Sequence, residues 1–537
     1  MRSSKSFRFT KTEKSWILYD WANSVYATNI MAAIFPIVYA NMADDTGDKW
    51  YGIAVSVSSL LIALLAPVLG SVGDFPKMKK KLFTACLVFG LFFTGLMAFA
   101  GSWQLMLAGY VISHIGYSGA NLFYDSFLTD VTTRERMDKV SSWGYAMGYI
   151  GGSTIPFLIS IAVLLLTDYS TFGIRFSILI VPAWWALFSI PMLKNVQQIY
   201  SVPRGEGSVV RTAFGNLAAT ARDIISERGL LIFMLAYFFY IDGVNTVISV
   251  STNYGSTLGL GSTGMVLALV VTQVVAVPFS ILFSRLSEKL SAVRLIVGAI
   301  GVYVAICCVG FFMGQMVEPF QTDYAALVRD SGRQYAARFS DPADSSAWEA
   351  VVADLVSTGR QSLSAKEPAE RRDIFLAEDG SGIFGDTAVR IENGSYRFSE
   401  DSRKAARLAL DSLWTDISPE LLKADAVRGY TAAANTASTL FWVLAFLVGT
   451  VQGGIQALSR SFFGRLIPPE RSNEFFGFFD VFGKFAAVVG PLLYSLFFML
   501  TDRASVGILS LILLFLVGAA LLIFGGRRIR ETELRVK

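Results

Sequence analysis

The chain has 537 residues, of which 53% are hydrophobic and 16% are charged, and its formal net charge at pH 7 is +4. An ordinary soluble domain carries about 25% charged residues, so this chain lacks the polar side chains to cover several soluble domains. The small net charge argues against nucleic-acid binding, and one histidine with three cysteines argues against His-rich or Cys-rich metal sites. The composition predicts an integral membrane protein, with the lipid bilayer as its solvent.

Apolar windows of about 20 residues, the length that crosses a bilayer, recur along the chain. We predict twelve transmembrane helices, spans 1 to 12, at residues 16–40, 51–73, 82–101, 103–128, 140–167, 172–193, 229–253, 261–284, 293–316, 431–457, 475–500 and 504–525. Span 1 is not a signal peptide, because it contains Asp20 and Asn23 and has no small-residue cleavage site. The expected fold class is therefore an all-α membrane protein.

Lysines and arginines are concentrated in both tails and in every second loop. By the positive-inside rule, both termini and loops 2–3, 4–5, 6–7, 8–9 and 10–11 face the cytoplasm, most simply of a bacterial inner membrane. The predicted organisation is an N-terminal six-helix half (1–193), a cytoplasmic central loop (194–228), helices 7–9 (229–316), an extracytoplasmic insertion (317–430), and helices 10–12 with a cytoplasmic tail (431–537).

The insertion at 317–430 is polar and acidic and contains no span. Helical patterns begin near Ser345 and cover Ser399 to Trp414, and the alternation from Val389 to Phe398 around Asn393-Gly394 is typical of a β-hairpin. We expect a small α+β domain; a loosely ordered insertion is the alternative, since long apolar runs are scarce. Its partner, if it has one, is unknown.

The two halves of the chain repeat each other. Asp20-Trp-Ala-Asn23 in span 1 matches Asp242-Gly-Val-Asn245 in span 7, and Ser126-Phe127 with Glu135-Arg136 matches Ser461-Phe462 with Glu470-Arg471. The residues of the second match are further apart in sequence than those of the first, and the difference is about the length of the insertion. Two parallel six-helix halves are the arrangement of major facilitator transporters.

The end of span 2 supports this arrangement. Gly70-Ser-Val-Gly-Asp74, followed by four lysines, resembles the loop 2–3 signature of the major facilitator superfamily; the lysines are Lys77, Lys79, Lys80 and Lys81. The resemblance implies that Asp74 caps the start of an adjacent helix and that the lysines reach the anionic inner leaflet.

Three motifs resemble one family within that superfamily, the vacuole effluxer-like or unknown major facilitator family. They are Tyr19-Asp20-Trp21-Ala22-Asn23-Ser24; Tyr124 to Leu128 with Arg136, Val140-Ser141 and Gly148 to Gly152; and Gly453 to Ser461 with Arg465 to Pro468, Glu474 to Gly477 and Gly490-Pro491. The resemblance excludes 317–430. It implies transport of small polar solutes, with amino acids favoured, since fungal members are implicated in releasing amino acids from the vacuole.

Polar side chains recur at helical spacing on spans 1, 4, 7 and 10, the spans that line the central cavity in the major facilitator fold. The residues expected to bind substrate or couple its transport are Asp20, Asn23, His114, Tyr117, Asn121, Asp242, Asn245, Gln452 and Gln456. Asp242 lies on a stripe that continues to Asn253, near the middle of span 7. A structural role for Asp20 and a packing role for His114 are the alternatives.

Other charged residues in or near the membrane are expected to act as gates or structural pairs. They are Asp74, Asp125, Arg136, Arg460, Arg471, Asp480 and Lys484. Asp480 and Lys484 are spaced i, i+4 on span 11, the favourable order for an ion pair. Gly144, Gly148 and Gly152 form a ladder on span 5 that permits close helix packing.

We predict a secondary active transporter that works by alternating access, with protons as an expected coupling partner taken up at Asp242, together with Asp20 or His114. An uncoupled facilitator remains an alternative. No nucleotide-binding loop and no enzyme motif such as His-Glu-x-x-His occurs, so we expect no cofactor, no metal and no enzymatic activity. Peptides, drugs or lipids are alternative substrates, because five aromatics would suit them: Trp21, Tyr117, Tyr237, Phe238 and Trp442. A transporter-derived receptor, whose 317–430 domain binds a partner, is a further alternative.

Overall fold

The computed structural model describes residues 8–42, 45–167, 170–203, 209–260, 262–336, 390–392, 395–397 and 425–536. These residues are almost entirely helical, and 10 of their helices are long and apolar enough to cross a membrane. Spans 1 and 4 are also helical in the structure but are not among those 10. The count of twelve membrane-spanning helices therefore stays a prediction.

The long helices are numbered α1 to α12 by the span to which they correspond. In the N-terminal half, α1 and α5 each continue through a π-helical stretch into a further α-helix. The bounds are α1 Lys11–Val25, continued by Tyr26–Ala33 and Ile34–Met42; α2 Asp45–Gly73; α3 Met78–Met97; α4 Trp103–Ser126; α5 Met137–Met147, continued by Gly148–Thr154 and Ile155–Leu166; and α6 Thr171–Asn195. A short helix, Leu128–Val131, follows α4.

The C-terminal half follows a helix at Val209–Ser226 that lies in the predicted central loop. Its long helices are α7 Arg228–Thr257, α8 Ser262–Leu286, α9 Ala292–Ala336, α10 Asp425–Leu466, α11 Ser472–Thr501 and α12 Ile512–Arg535. Pro468 and a 3₁₀ turn at Pro469–Arg471 separate α10 from α11, and a short helix, Ala504–Ser510, precedes α12.

The helices that flank the insertion extend into the predicted range 317–430. Helix α9 does not end at residue 316 but continues to Ala336, and α10 begins at Asp425 rather than at residue 431. Two strands pair antiparallel within the insertion, β1 (Arg390–Glu392) and β2 (Ser395–Arg397), with Glu392 opposite Ser395. Residues 337–389, 393–394 and 398–424 lie outside the described residues, so the expected α+β domain stays a prediction.

The glycine ladder on α5 has the packing role expected of it. A Cβ atom added at Gly148 would lie 2.6 Å from the Ser24 hydroxyl, and one added at Gly152 would lie 2.6 Å from the Ser24 Cβ. No side chain fits at these positions, because such contacts are well below van der Waals separation. The glycines thus bring the polar face of α1 against α5.

The two halves contact each other through a pair of equivalent hydrogen bonds. The Ser126 hydroxyl at the end of α4 donates to the Asn473 side chain on α11, and its repeat equivalent, Ser461 on α10, donates to Asp138 on α5 over 2.6 Å. Both bonds lie at the end of the bundle that carries loops 2–3, 4–5 and 10–11, which we call the basic end. The two halves therefore exchange the same type of contact.

Lys79 is an exception to the expectation that the loop 2–3 lysines reach the lipid surface. Its side chain is 0% exposed and its ammonium lies 2.6 Å from the Asp130 carboxylate. It also donates to the Ser472 hydroxyl on α11 over 2.9 Å. Asp130 in turn accepts from the backbone N–H groups of Ile199 and Tyr200. Lys79 thus joins the two halves and the segment that follows α6.

Replacing Lys79 by Met tests this buried pair. The variant leaves Asp130 charged and without its cation, so we expect it to lower the free energy of unfolding by about 3–5 kcal/mol. The readout is the midpoint of thermal denaturation of the purified protein in detergent. Arg527→Gln is the control, because its partner Glu531 and Arg527 itself are exposed. Equal midpoints for the two variants would contradict the assignment.

Candidate functional site

A buried arginine joins the two halves near the basic end. Arg460 on α10 is 4% exposed and reaches across to three helices of the N-terminal half. Its guanidinium donates to Asp125 on α4 over 2.9 Å, to Asp20 on α1 over 3.2 Å, and to the Ser141 hydroxyl on α5 over 3.0 Å. We call this group the Arg460 clamp. Asp125 and Arg460 are equivalent positions of the internal repeat, so the clamp lies close to the axis relating the halves.

Aromatic rings surround the clamp. The guanidinium carbon of Arg460 lies 4.7 Å from the ring centre of Trp16, 5.3 Å from that of Tyr124 and 4.5 Å from that of Tyr145. The Tyr124 hydroxyl donates to Asp20 over 2.6 Å, and the Trp16 indole donates to the Tyr124 carbonyl. Because the rings exclude water while presenting their π faces, they strengthen the charge pairing.

Asp20 thus takes part in the clamp. Its expected role in substrate binding or coupling stays a prediction, with a structural role as the alternative. Asp125 and Arg460, expected as gating or structural residues, are brought together by the same cluster.

Asp74 caps the start of α11, as the loop 2–3 signature implies. Its carboxylate accepts from the backbone N–H of Asn473 over 2.9 Å, from the Asn473 side-chain amide over 2.7 Å, and from the backbone N–H of Glu474 over 3.0 Å. Burial raises the pKa of Asp74 to about 7, against the opposing effects of the Lys79 charge and these N–H donors. This cap binds the end of α2 to the opposite half.

Arg136 and Arg471, equivalent in the repeat, each bind an acidic residue at or before the start of the first helix of a half. Arg136 binds Glu13 through two bonds of 2.6 and 2.7 Å, and Arg471 binds Asp223 in the Val209–Ser226 helix over 2.6 Å. Burial alone would raise the pKa of Glu13, but the hydrogen bonds from Arg136 and Thr132 outweigh it and lower the pKa. Neither arginine contacts the Arg460 clamp.

The polar residues expected on spans 1 and 4 contact one another. The Asn23 amide donates to the Asn121 side chain over 2.6 Å, and the Tyr117 ring stacks on Tyr26 at 4.4 Å between centroids. His114 is buried, with Nδ1 3.0 Å from the Ser58 hydroxyl and no partner for Nε2 among the described residues. Because the Ser58 hydrogen is donated to Val55, we assign the His114 proton to Nδ1.

Asp242 does not line an open cavity. It is 0% exposed between α7 and α11, where one carboxylate oxygen accepts from the Gly490 backbone N–H over 3.0 Å and from the Thr246 hydroxyl over 3.4 Å. The other oxygen is buried without a partner among the described residues. Asn245 is half-buried and Ser249 and Asn253 are exposed, so the expected stripe is divided between different surroundings.

On α10 the two glutamines are also separated. Gln452 lines a cavity of about 90 Å³ inside the C-terminal half, walled mostly by apolar residues of α7 to α10, whereas Gln456 is half-buried outside that cavity. The aromatic residues considered for a larger substrate pack on neighbouring helices instead: Trp21 stacks on Trp184 and Tyr237 on Phe479.

Asp480 and Lys484 act on each other electrostatically but are not in direct contact. Neither residue makes a hydrogen bond or an ion pair with any part of the chain that the structure describes, and one Asp480 oxygen is buried and unpartnered. The i, i+4 spacing places both on α11 but does not decide whether their side chains meet.

Several residues of the site were not found from the sequence. Tyr145 and Asn473 carry no charge, and Trp16 falls within the apolar span 1. Only the repeat contained a usable signal: Asn473 falls at the position equivalent to Asp138, and both accept a serine hydroxyl from the opposite half.

The comparisons with known proteins agree with this architecture. Residues 129–323 and 435–528 match the family described as vacuole effluxer Atg22 like. The MFS-type transporter YxiO of Bacillus subtilis (strain 168) is 35% identical over 531 residues, 96% of this chain and 95% of its own length. Autophagy-related protein 22 of Cryptococcus neoformans var. neoformans serotype D (strain B-3501A) is 31% identical over 186 residues, 32% of each chain.

Solved structures show the same fold. The proton:xylose symporter XylE aligns with a TM-score of 0.52 at 12% identity, covering 96% of this chain and 94% of that chain. The human organic anion transporter MFSD10 aligns with a TM-score of 0.51 at 13% identity, covering 95% of this chain and 99% of that chain. The fold is that of the major facilitator superfamily, a class of membrane transporters. The chain belongs to the vacuole effluxer Atg22-like family within it.

The Asp74 cap has a pH dependence that can be measured. Its pKa in the folded protein, about 7, exceeds that of an unfolded aspartate, so the stability it contributes is complete at low pH and is lost as the pH rises through the folded pKa. Between about pH 5 and pH 8 the denaturation midpoint of the wild type should fall relative to that of Asp74→Asn, whose side chain does not titrate. Glu531→Gln is the control; a constant difference between wild type and Asp74→Asn would contradict the expectation.

Proposed function

We propose that this protein is a secondary active transporter that moves a small polar solute, amino acids or related metabolites in particular, across a bacterial inner membrane by alternating access. The family supports a transporter, and its description as vacuole effluxer Atg22 like supports the movement of a solute across a membrane. The basic end faces the cytoplasm in this proposal, in agreement with the positive-inside rule.

The Arg460 clamp is the observation that carries the proposal. Alternating access requires contacts between the halves that form in one state and break in the other. Arg460 supplies such a contact, because one guanidinium binds carboxylates on two helices of the opposite half. The Asp74 cap, the Lys79–Asp130 pair and the Ser461–Asp138 bond lie at the same end. We interpret the structure as closed toward the cytoplasm.

Asp242 is the proposed proton carrier. Its carboxylate is buried, one oxygen lacks a partner, and the N–H donor of the other oxygen belongs to α11. A rocking motion that shifts α11 against α7 would change the number of hydrogen bonds to Asp242 and its access to water. Both changes alter proton affinity, which links protonation to the state of the transporter.

Removing the clamp should open the cytoplasmic end. Arg460→Gln is made in a protein whose three cysteines are replaced and whose Gln456, one turn above the clamp, is changed to Cys. A membrane-impermeant maleimide is then applied from the cytoplasmic side of inside-out vesicles. We expect labelling about tenfold faster than with Arg460 intact, which corresponds to a population shift of about 1.4 kcal/mol.

Arg460→Lys should give an intermediate rate, because a single ammonium replaces the planar fork that binds two carboxylates. Arg527→Gln, on the exposed surface, is the control and should leave the rate unchanged. If Arg460→Gln labels no faster than the control, Arg460 does not hold the cytoplasmic end closed.

The coupling role of Asp242 is tested by transport in proteoliposomes. With radiolabelled amino acids as probes, an imposed pH gradient should drive accumulation in the wild type but not in Asp242→Asn, whereas exchange without a gradient should persist. Glu531→Gln is the matched control on an exposed carboxylate. Gradient-driven uptake by Asp242→Asn at the wild-type rate would eliminate Asp242 as the carrier, and the absence of any uptake by the wild type would contradict the substrate class.

A further inference from the structure

Two opposite charges on α11, Asp480 and Lys484, lie close in sequence but do not pair. They occupy i, i+4 positions, about 6 Å apart along the helix axis, in the order that favours an ion pair. Their charged atoms are nevertheless more than 4 Å apart, and neither side chain binds another described residue. Lys484 acts electrostatically on Asp480 without touching it. Two charges in a transmembrane helix that lack direct hydrogen-bond partners are costly, which makes both of them candidates to bind a ligand.

Neither charge lies on the lipid-facing side of α11. That side is marked by exposed apolar residues: Phe485, Val488, Val489, Leu492 and Leu496. At about 100° per residue, Asp480 lies about 140° and Lys484 about 100° from the centre of this side. Both residues are half-buried.

The neighbours of the two charges come from both halves. Asp480 acts electrostatically on Tyr117 of α4 and Tyr237 of α7, and Lys484 acts on His114 of α4. Phe479, next to Asp480, stacks on Tyr237 at 4.0 Å, and a Cβ atom added at Gly483, next to Lys484, would lie 3.2 Å from the Tyr237 hydroxyl. Asp480 and Lys484 therefore lie near α4 of the opposite half as well as α7 of their own half.

We propose that Asp480 and Lys484 are the specificity-determining residues of the transport site and that each binds one charge of a zwitterionic solute. The Lys484 ammonium binds the anionic group of the solute, and the Asp480 carboxylate binds its cationic group. The unprotonated Nε2 of His114 supplies a further acceptor on the opposite half. This assignment rests on the proposed transport function and replaces the gating role expected for the two residues.

The separation of the Asp480 and Lys484 side chains explains how such a site selects its solute. A zwitterion neutralises both charges, whereas a solute with one charge leaves the other residue unpaired in a site of low polarity. A direct ion pair between Asp480 and Lys484 would remove this selectivity, because the solute would have to break it. The separation of the two side chains is therefore the feature that makes the site receptive.

The test compares binding of three probe mixtures to the purified full-length protein in lipid nanodiscs at neutral pH. The first is the mixture of the twenty proteinogenic L-amino acids; the second is their α-carboxamides, which lack the carboxylate; the third is their N-acetyl derivatives, which lack the ammonium. Binding is measured by the concentration needed to shift the denaturation midpoint. We expect the wild type to bind the amino acids at least tenfold more tightly than either derivative mixture.

The variants separate recognition from a structural pair. Lys484→Gln should lose its preference for amino acids over carboxamides, with carboxamide binding unchanged, and Asp480→Asn should lose its preference over N-acetyl derivatives. A purely structural pair would instead change the binding of all three mixtures by the same factor in either variant. Arg527→Gln and Glu531→Gln, an exposed i, i+4 pair on α12, are the matched controls.

Equal wild-type affinity for all three mixtures, uniform changes in the two variants, or no binding of the amino acids would each overturn the assignment. A failure of this assignment can be distinguished from a failure of the proposed transport function. If the derivative mixtures bind as tightly as the amino acids while the protein still accumulates solute under a pH gradient, the transport function stands and only the zwitterion site is wrong.

Discussion

The burial of one guanidinium between the two halves is the constraint on which the rest of the structure depends. A cation inside a bundle is tolerated only when its charge and its donors are matched, and Arg460 is matched by two carboxylates, one hydroxyl and three aromatic rings. All of these partners belong to the opposite half. When the halves separate at this end, Arg460 and both acids must regain water together, so the contact favours two discrete states over intermediate ones.

The internal repeat accounts for the position of this contact. Asp125 and Arg460 are equivalent residues, as are Ser126 and Ser461, and each pair lies where α4 and α10 approach the axis between the halves. Selection of opposite charges at equivalent positions turns a symmetric interface into an attractive one. A second pair of contacts follows the same pattern. Asp74 at the end of α2 binds the start of α11, and in the other half Glu288 after α8 binds Lys139 at the start of α5 over 2.7 Å.

The charges of α11 differ in kind from those of the clamp. Arg460 is buried and paired with both of its carboxylates, which suits a structural contact that opens and closes. Asp480 and Lys484 are unpaired and only half-buried, which suits a site that is completed by its ligand. Asp242 is intermediate, with one oxygen bound to α11 and one without a partner. The contacts that a charged residue lacks within the membrane therefore indicate its role more clearly than the contacts that it makes.

The sequence by itself determined that the chain is a helical membrane protein, where most helices lie, that the halves repeat, and that Asp74 caps a helix, because apolar length, loop charge and the loop signature are local properties. It also identified Asp125 and Arg460 as charges of interest. Only the tertiary structure decided that these two meet, that Lys79 is buried rather than at the lipid surface, that Asp242 faces α11, and that Asp480 and Lys484 remain apart. Helical periodicity shows which residues share a face, but the partner of that face depends on packing between helices distant in sequence.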